Sequence, residues 1–382
     1  MLNASDVDAA LAAAEFALLL ESGPEILRAA SEWEQCPLLG IDTEFLRERT
    51  YRAELGLVQV SDGRRAWLVD PQVEGSLGPL KRLLENPELI KVLHSSSEDL
   101  EVLYHTVGAI PDPLVDTQIA CAMLGQPLQM GYHHAVKWLV GVDIDKDQTR
   151  SNWCKRPLSA KQLRYAAMDV LLLPMMHTML KARLEELARW DWLKEDISRI
   201  QRNAVESAAP EEAYLRFVGI GRLDQETLKV LQALAAWRER IASERNRARG
   251  FVISDAGLMQ LAQQKPANAA KLRGVDELHP VVLSRHGDEL LDLIDEAMSS
   301  TAQVASVEAL SGEENRKMKA MRKVILMRAD ELEVDPALLG SRRELEKLLR
   351  AHAAGESLPE RFLGWRKTVI TDDLLAVLEN QI

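Results

Sequence analysis

Two acidic side chains, Asp42 and Glu44, stand two positions apart in an apolar run that spans residues 38–45. Such a run predicts a buried β-strand, and alternate residues of a strand point to the same face. Two carboxylates about 7 Å apart on one face repel each other, which raises a pKa unless a cation lies between them. Carboxylate ligands without His or Cys suit Mg²⁺ or Mn²⁺ better than Zn²⁺. The pair therefore indicates a divalent-metal site, and the alternative is a solvated acidic loop after the strand.

A second candidate, Asp99, follows the apolar segment 90–93 and a serine cluster. Ser95, with Glu98 three positions later, predicts a capping box that places Asp99 in the first turn of a helix. An acid there can simply complement the helix dipole, but ligands of α/β sheets bind where strands end and turns gather. Asp116 has a similar location, and its expected role is to cap the helix that begins at Thr117.

A third acidic position lies on a segment, residues 160–173, whose pattern predicts a helix. Tyr165 and Asp169 are four residues apart, so they share a face with Cβ atoms about 6 Å apart. The small residues Ala166 and Ala167 allow close packing of this helix on a sheet. Taken alone, Tyr165 and Asp169 could also be an ordinary half-buried pair.

The elements that must position these side chains form an α/β pattern. Strands are predicted at 16–20, 38–45, 56–60, 66–69, 90–93 and 114–115, with helices between the later ones. Three adjacent strands followed by alternating strands and helices predict a mixed sheet flanked by helices. Beyond a linker at 205–212 only helical patterns appear. The expected divisions are an N-terminal extension (1–15), the α/β domain (16–204) and two helical domains (212–298 and 311–382).

The composition limits the function classes. A length of 382 residues predicts two or three domains, and the net charge of −12 disfavours nucleic acid unless bound metal ions supply positive charge. Three widely separated cysteines argue against a disulfide framework and a zinc site. No segment has the pattern of a membrane span or a secretory leader, so a cytoplasmic protein is expected.

The order Asp42, Glu44, Asp99, Tyr165, Asp169 resembles the DEDD superfamily of 3′–5′ exonucleases, in its subgroup with a tyrosine before the last acid. Within it, several longer stretches resemble ribonuclease D, and residues 222–297 and 312–382 resemble its HRDC domains. The stretches are Gly40–Phe45, Arg49–Tyr51, Leu55–Val60, Leu93–Ser95, Glu98–Glu101, Val115–Gln118, Arg156–Leu158 and Tyr165–Ala167. The implied fold is an RNase H-like exonuclease domain followed by two all-α HRDC-like domains.

The resemblance also implies the chemistry. It implies hydrolysis of RNA 3′ ends to nucleoside 5′-monophosphates with two Mg²⁺ or Mn²⁺ ions, and transfer-RNA precursors as substrates. Separately, we expect a monomer that has no membrane contact and no evident protein partner. Asp42 would contact both ions, Glu44 and Asp169 the first, and Asp99 the second. Tyr165 would orient the attacking water, because a phenol with a pKa near 10 is a poor base at neutral pH.

Less direct signals indicate contacts with RNA. The candidates for substrate binding are Phe45, His94, Lys146, Arg150 and Trp153, and the candidates for accessory RNA binding are Arg238, Arg245, Arg247 and Arg249. Residues 146–157 combine basic side chains with an aromatic one, as a single-stranded end requires, but a solvated loop over a buried Trp153 fits equally. His94 is expected to be a hydrogen-bonded part of its turn, and the arginines could form a solvated helix face.

Two other functions fit the same residues. One is a DNA-directed 3′–5′ exonuclease, because carboxylate-bound metals do not distinguish RNA from DNA and no residue for the 2′-hydroxyl can be identified. The other is a non-catalytic RNA-binding scaffold, which the presence of all four acids disfavours.

Overall fold

The structure is a computed structural model that describes residues 4–144, 151–206, 209–305 and 310–379. The chain divides into two compact units. We call residues 1–46, 54–205 and 311–382 the sheet unit, and residues 47–53 and 206–310 the helical unit. None of the helices in the described ranges combines the length and apolar character needed to cross a bilayer.

The sheet unit is built on one mixed sheet. Its six strands, among the described residues, are β1 (Leu18–Leu20), β2 (Leu38–Leu46), β3 (Glu54–Ser61), β4 (Ala66–Val69), β5 (Ile90–Leu93) and β6 (Leu114–Asp116). Their order is β1-β4-β3-β2-β5-β6, and β2, β3 and β4 form the antiparallel part. The predicted mixed sheet is confirmed. The first strand is shorter than predicted because residues Ala14–Phe16 form a 3₁₀ turn.

Helices cover this sheet. In chain order they are α1 (Ala4–Ala13), α2 (Gly23–Trp33), α3 (Leu77–Glu85), α4 (Ser97–Val107), α5 (Thr117–Ala122), α6 (Tyr132–Leu139), α7 (Ala160–Leu171), α8 (Leu173–Glu186) and α9 (Trp190–Val205). Gly40 in β2 permits the closest approach, because a Cβ there would lie 2.6 Å from the carbonyl oxygen of Val170 at the end of α7. The absence of a side chain at this position brings α7 against the strand that carries Asp42.

The helical unit consists of α10 (Gln225–Glu244), α11 (Arg249–Val252), α12 (Asp255–Gln264), α13 (Ala269–Leu272) and α14 (Pro280–Ser299), with 3₁₀ turns at Pro210–Arg216 and Ile220–Arg222. Leu228, Leu231 and Leu234 on α10 are fully buried, and Leu258 on α12 and Leu290 on α14 pack in the same core. Their helical spacing is the pattern that predicts helices from 212 to 298.

The last helices belong to the sheet unit. They are α15 (Gly312–Leu332), α16 (Pro336–Leu339), α17 (Arg342–Ala354) and α18 (Asp372–Glu379), with a 3₁₀ turn at Glu360–Phe362 and a π-helical turn at Lys367–Thr371. Trp365 stacks on Trp192 of α9 at 4.4 Å between ring centroids, and Arg366 forms two hydrogen bonds to Asp196 at 2.6 and 2.7 Å. These contacts hold the C-terminal helices to α9.

Candidate metal centre

Three carboxylates meet beside the middle of the sheet. Asp42 and Glu44 on β2 and Asp169 on α7 have carboxylate oxygens that all lie within 4.8 Å of one another. Alternation along β2 brings the first two to the face that α7 covers. A capping box begins α7, in which Ser159 and Gln162 satisfy each other's backbone N–H groups. Strand β2 and helix α7, which were predicted to carry these acids, therefore bring them close enough to share a metal ion.

Asp99, in the first turn of α4, is 7% exposed. It is not one of the three acids whose oxygens lie within 4.8 Å of one another, but its charge acts on Glu44. The hydroxyl of Thr43, which points to the opposite face of β2 from Asp42, donates a hydrogen bond to an Asp99 carboxylate oxygen. The negative charge of Asp42 acts on Asp99 and contributes to a pKa well above the ordinary value, after burial as the larger cause. Thr43 was not predicted, because its contact with Asp99 joins residues 56 positions apart.

Burial raises the pKa values of the three clustered acids, and repulsion by neighbouring carboxylates adds to this for Asp42 and Glu44. Burial is the main cause for Asp42, followed by the charge of Asp169. Burial and the charges of Asp42, Asp169 and Asp99 raise the pKa of Glu44 to about 10. Burial raises the pKa of Asp169 to about 7, although a hydrogen bond from Tyr165 partly opposes this. All three residues keep part of their surface open to solvent, so an ion can reach the desolvated carboxylates.

Tyr165 lies on the same face of α7 as Asp169 and forms a hydrogen bond with it. Burial first, and then the charges of Asp169, Glu44 and Asp42, raise the pKa of the phenol far above its ordinary value. The hydroxyl therefore keeps its proton at neutral pH, so Tyr165 can orient a water molecule but cannot abstract its proton.

The residues present suit a divalent cation. In the described parts of the chain, no lysine or arginine forms an ion pair with Asp42, Glu44, Asp99 or Asp169. Gln59 lies directly opposite Asp42 on β3, is fully buried, and has no hydrogen-bond partner for its amide oxygen or nitrogen among these residues. Desolvated carboxylates without a counter-charge and an amide without a hydrogen-bond partner both destabilise the folded state. A bound cation would compensate the charge, and its water ligands could form hydrogen bonds with the amide.

The structure confirms the expected capping role of Asp116. Asp116 also forms hydrogen bonds with the turn that precedes Asp99. It accepts hydrogen bonds from the backbone N–H groups of Gln118 at 2.8 Å, Ser95 at 3.1 Å and Ser96 at 2.7 Å. The predicted capping box at Ser95 is wrong. Ser96 is the N-cap of α4, and its hydroxyl donates to Asp116 at 2.8 Å instead of capping the helix.

His94 forms part of a hydrogen-bonded turn, as expected. Its Nδ1 lies 2.8 Å from the hydroxyl of Thr117 and its Nε2 lies 2.8 Å from the carbonyl oxygen of Met130. Burial lowers the pKa of this histidine, and neither ring nitrogen is left to bind a substrate. Its ring packs edge-on against Tyr132, a residue that sequence reasoning missed. Tyr132 donates to the carbonyl oxygen of Met168 at 3.0 Å, directly before Asp169.

The prediction that Trp153 binds substrate is wrong. Its side chain is 2% exposed and packs against Leu57, Leu158 and Ala166, so no base can stack on it. A buried tryptophan beneath the loop was the alternative left open by the sequence. Lys146 and Arg150 lie outside the described residues. Phe45 is half-buried at a register shift between β2 and β3.

The arginines predicted to bind RNA divide into two pairs. Arg238 is 5% exposed and donates to Asp255 at 2.7 Å and to the carbonyl oxygen of Ile253 at 2.9 Å, so its predicted surface role is wrong. Arg249 forms two hydrogen bonds with Glu239 and lies over the ring of Tyr51. The positive charges of Arg238 and Arg249 are therefore paired with carboxylates of the helical unit. Arg245 and Arg247, in contrast, are exposed.

Comparisons with known proteins agree with this architecture. A 3′–5′ exonuclease family matches residues 24–185 and an HRDC domain family matches residues 227–294. Ribonuclease D of Pseudomonas paraeruginosa is 42% identical over 356 residues, covering 91% of this chain and 94% of that protein. The Escherichia coli K12 ribonuclease D is 33% identical, covering 90% and 93%.

Solved structures show the same similarity. The crystal structure of Escherichia coli RNase D, an exoribonuclease involved in structured RNA processing, has a TM-score of 0.87 at 31% identity and covers 95% of this chain and 98% of that one. The catalytic core of RRP6 from Trypanosoma brucei has a TM-score of 0.59 at 21% identity and covers 75% and 80%, which shows a shared fold.

Proposed function

The chain belongs to the ribonuclease D family and is a 3′–5′ exoribonuclease, and from this premise we propose how its own residues act on RNA. The family of its exonuclease domain depends on divalent metal ions. We propose two Mg²⁺ or Mn²⁺ ions, with Asp42 contacting both, Glu44 and Asp169 holding the first, and Asp99 holding the second. The observation that supports this assignment most directly is that the oxygens of three partly exposed carboxylates lie within 4.8 Å of one another.

Each side chain has a distinct task in this proposal. When bound at these acids, divalent ions would supply activation of the attacking water and stabilisation of the charge on the phosphate. Tyr165 keeps its proton and positions the water through its hydroxyl, while its bond to Asp169 fixes the direction of the phenol. Thr43 holds the Asp99 carboxylate in place, and Asp116 fixes the turn from which α4 begins. The products are nucleoside 5′-monophosphates.

We further propose that Phe45 contacts the terminal nucleotide. It follows Glu44 on β2 and is half-buried at the register shift, so it remains available for stacking on a base. The proposed substrates are transfer-RNA precursors with extra 3′ nucleotides, processed by a monomer in the cytoplasm.

Product analysis tests the proposed function. A 3′-tailed RNA labelled at its 5′ end, incubated with Mg²⁺ or Mn²⁺, is expected to shorten one nucleotide at a time. Nucleoside 5′-monophosphate should appear, and EDTA should stop the reaction. A matched DNA oligomer is the control, since equal degradation of DNA would favour the DNA-directed alternative. Release of nucleoside 3′-monophosphates would contradict the proposed displacement.

A further inference from the structure

The helical unit contains a cavity of about 460 Å³ that the catalytic assignment does not use. It lies between the end of α10, the short helix α11 and the start of α14. The polar and aromatic side chains that define its character are Arg245, Arg247, Phe251, His279, Arg285 and His286. Its volume falls within the range of about 300–1,000 Å³ that is common for small-ligand pockets.

The positive charge in this cavity is largely uncompensated. In the described part of the chain, neither Arg247 nor Arg285 is paired with a carboxylate. Glu277 is the acidic residue among those that line the cavity. Arg245 contacts His286, with 3.4 Å between its Nη1 and the Nε2 of the ring, and its charge also acts on Glu289.

Three other arginines of this unit are paired with carboxylates. Arg238 pairs with Asp255, Arg240 with Glu211 and Arg249 with Glu239. In a chain of net charge −12, three arginines that converge on one cavity with few acidic neighbours are therefore unusual. Such a site favours an anion with several acceptor oxygens, since guanidinium groups bind phosphate in a bidentate manner.

An aromatic surface adjoins these charges. The side chain of Phe251 is 50% exposed, and the guanidinium of Arg247 lies 5.8 Å from its ring centroid. A partly exposed ring beside arginine is an arrangement that binds a nucleobase by stacking while the arginine contacts the phosphate. His279 uses its Nδ1 to cap α14 by accepting from Val281 N–H at 3.2 Å, and it also lines the cavity.

We propose that this cavity binds a single 5′-phosphorylated nucleotide, with the base on Phe251 and the phosphate on Arg247, Arg285 and Arg245. The inference rests on the proposed function, which supplies such a group in two forms. One is the nucleoside 5′-monophosphate that the reaction releases, and the other is a nucleotide within the RNA strand. Both present a base and a phosphate on the 5′ oxygen, as a monoester in the released nucleotide and as a diester within the strand.

The experiment uses the full-length chain in Mg²⁺. Binding of 5′-AMP is measured by calorimetry with the natural sequence, and binding of a fluorescent single-stranded RNA is measured by anisotropy in an Asp42→Asn background that does not degrade it. Arg285→Ala and Phe251→Ala are each expected to weaken binding of at least one ligand about tenfold. Loss for 5′-AMP identifies a product site, whereas loss for RNA alone identifies a strand contact.

The control is Arg240→Ala, which removes one positive charge from the same unit but from a pair outside the cavity. It is expected to leave both affinities within twofold. Unchanged binding in Arg285→Ala and Phe251→Ala, or equal weakening in Arg240→Ala, would overturn the site. Competition by a polyglutamate peptide as strong as that by RNA would show a general anion surface and would also overturn it.

Two further measurements separate the possible failures. Circular dichroism checks that each variant is folded, and Arg247→Gln, which keeps most of the side-chain length, replaces any variant that is not. Stepwise hydrolysis by the natural sequence tests the proposed function on its own. If hydrolysis proceeds but the cavity variants bind normally, the nucleotide site alone is refuted.

Discussion

The sheet unit contains two groups of charged side chains with opposite arrangements of charge. The metal centre gathers Asp42, Glu44 and Asp169, all of one sign, and their pKa values are raised. Between α9 and the C-terminal helices, Asp196 is 3% exposed and faces Arg366, which is 2% exposed. Burial alone would raise the pKa of Asp196, but the hydrogen bonds and charge of Arg366 outweigh it and lower the pKa.

The pair of Asp196 and Arg366 stabilises the fold, whereas the three clustered acids are the group that we propose takes part in the reaction. Arg366 also donates to the carbonyl oxygen of Leu338 at 2.8 Å, so the paired group is satisfied by the protein itself. The acidic group lacks a protein cation among the described residues and becomes stable only when an external cation or protons enter it. In the proposed function, activity depends on this excess of negative charge, and the paired groups elsewhere in the unit stabilise the fold that contains it.

The largest expected effect comes from removing a charge at the metal centre. Asp42→Asn is expected to lower kcat by about 10³-fold or more, because it removes the carboxylate proposed to contact both ions. In EDTA at pH 8 the same variant should unfold at a higher temperature than the natural sequence, because one member of a repelling group is gone. Rate assays in Mg²⁺ and thermal unfolding in EDTA measure the two effects.

The control for this variant is Asp191→Asn, which changes an exposed acid on α9 that pairs with Lys194. Activity and unfolding temperature should both stay near those of the natural sequence. Substantial activity in Asp42→Asn, or a lower unfolding temperature in EDTA, would show that the acids are not a strained metal site.

The paired group should respond in the opposite direction. Asp196→Asn leaves the buried guanidinium of Arg366 without its carboxylate partner. It also removes one of the two carboxylates beside Arg361, the other being Glu344. We expect a loss of about 3 kcal/mol in the free energy of unfolding, because removing one partner of a buried ion pair leaves the other charge desolvated and unpaired. Denaturant unfolding in Mg²⁺ measures it, again with Asp191→Asn as the matched control on the same helix. A change below about 0.5 kcal/mol would show that the pair does not hold α9 to the last helices.

The acids of the metal centre could be predicted from sequence because their geometry is local. The spacing of Asp42 and Glu44 fixes their shared face on a strand, and the spacing of Tyr165 and Asp169 fixes theirs on a helix. The strands of the sheet were predictable for the same reason, since each is a short apolar run of its own. Asp99 could be placed in the first turn of a helix, but not beside Thr43.

The remaining features depend on contacts between distant positions. The sequence contains both Trp237-Arg238 and Trp365-Arg366, but their spacing does not reveal that each arginine is buried against an aspartate. The partner of Arg238 is Asp255, 17 positions away, and the partner of Arg366 is Asp196, 170 positions away. For the same reason Arg238 was assigned to the surface. A basic side chain on a helix is usually exposed, and only its tertiary partner decides otherwise.

The smallest expected effect is a dependence of metal binding on pH. Burial raises the pKa of Asp169 to about 7 and, with its acidic neighbours, that of Glu44 to about 10, so both bind protons at pH 6 in the metal-free protein. The folded state then holds more protons than the unfolded chain, and its metal-free stability falls as pH rises from about 4 through 7 for Asp169 and on through about 10 for Glu44. Because ions must displace these protons, we expect Mg²⁺ affinity to increase about tenfold or more from pH 6 to pH 8.

Calorimetry in two buffers of different ionisation enthalpy measures this affinity together with the number of protons released. Asp169→Asn should release fewer protons at pH 6 than the natural sequence, because the group that titrates near pH 7 is absent. Asp196→Asn should not alter the proton count, since the pKa of its carboxyl is already lowered by Arg366 and it is ionised throughout this range. Mg²⁺ binding with no proton release at pH 6 would show that the clustered acids are already ionised in the metal-free protein. Their pKa values would then not be raised, and the two groups would not differ in this respect.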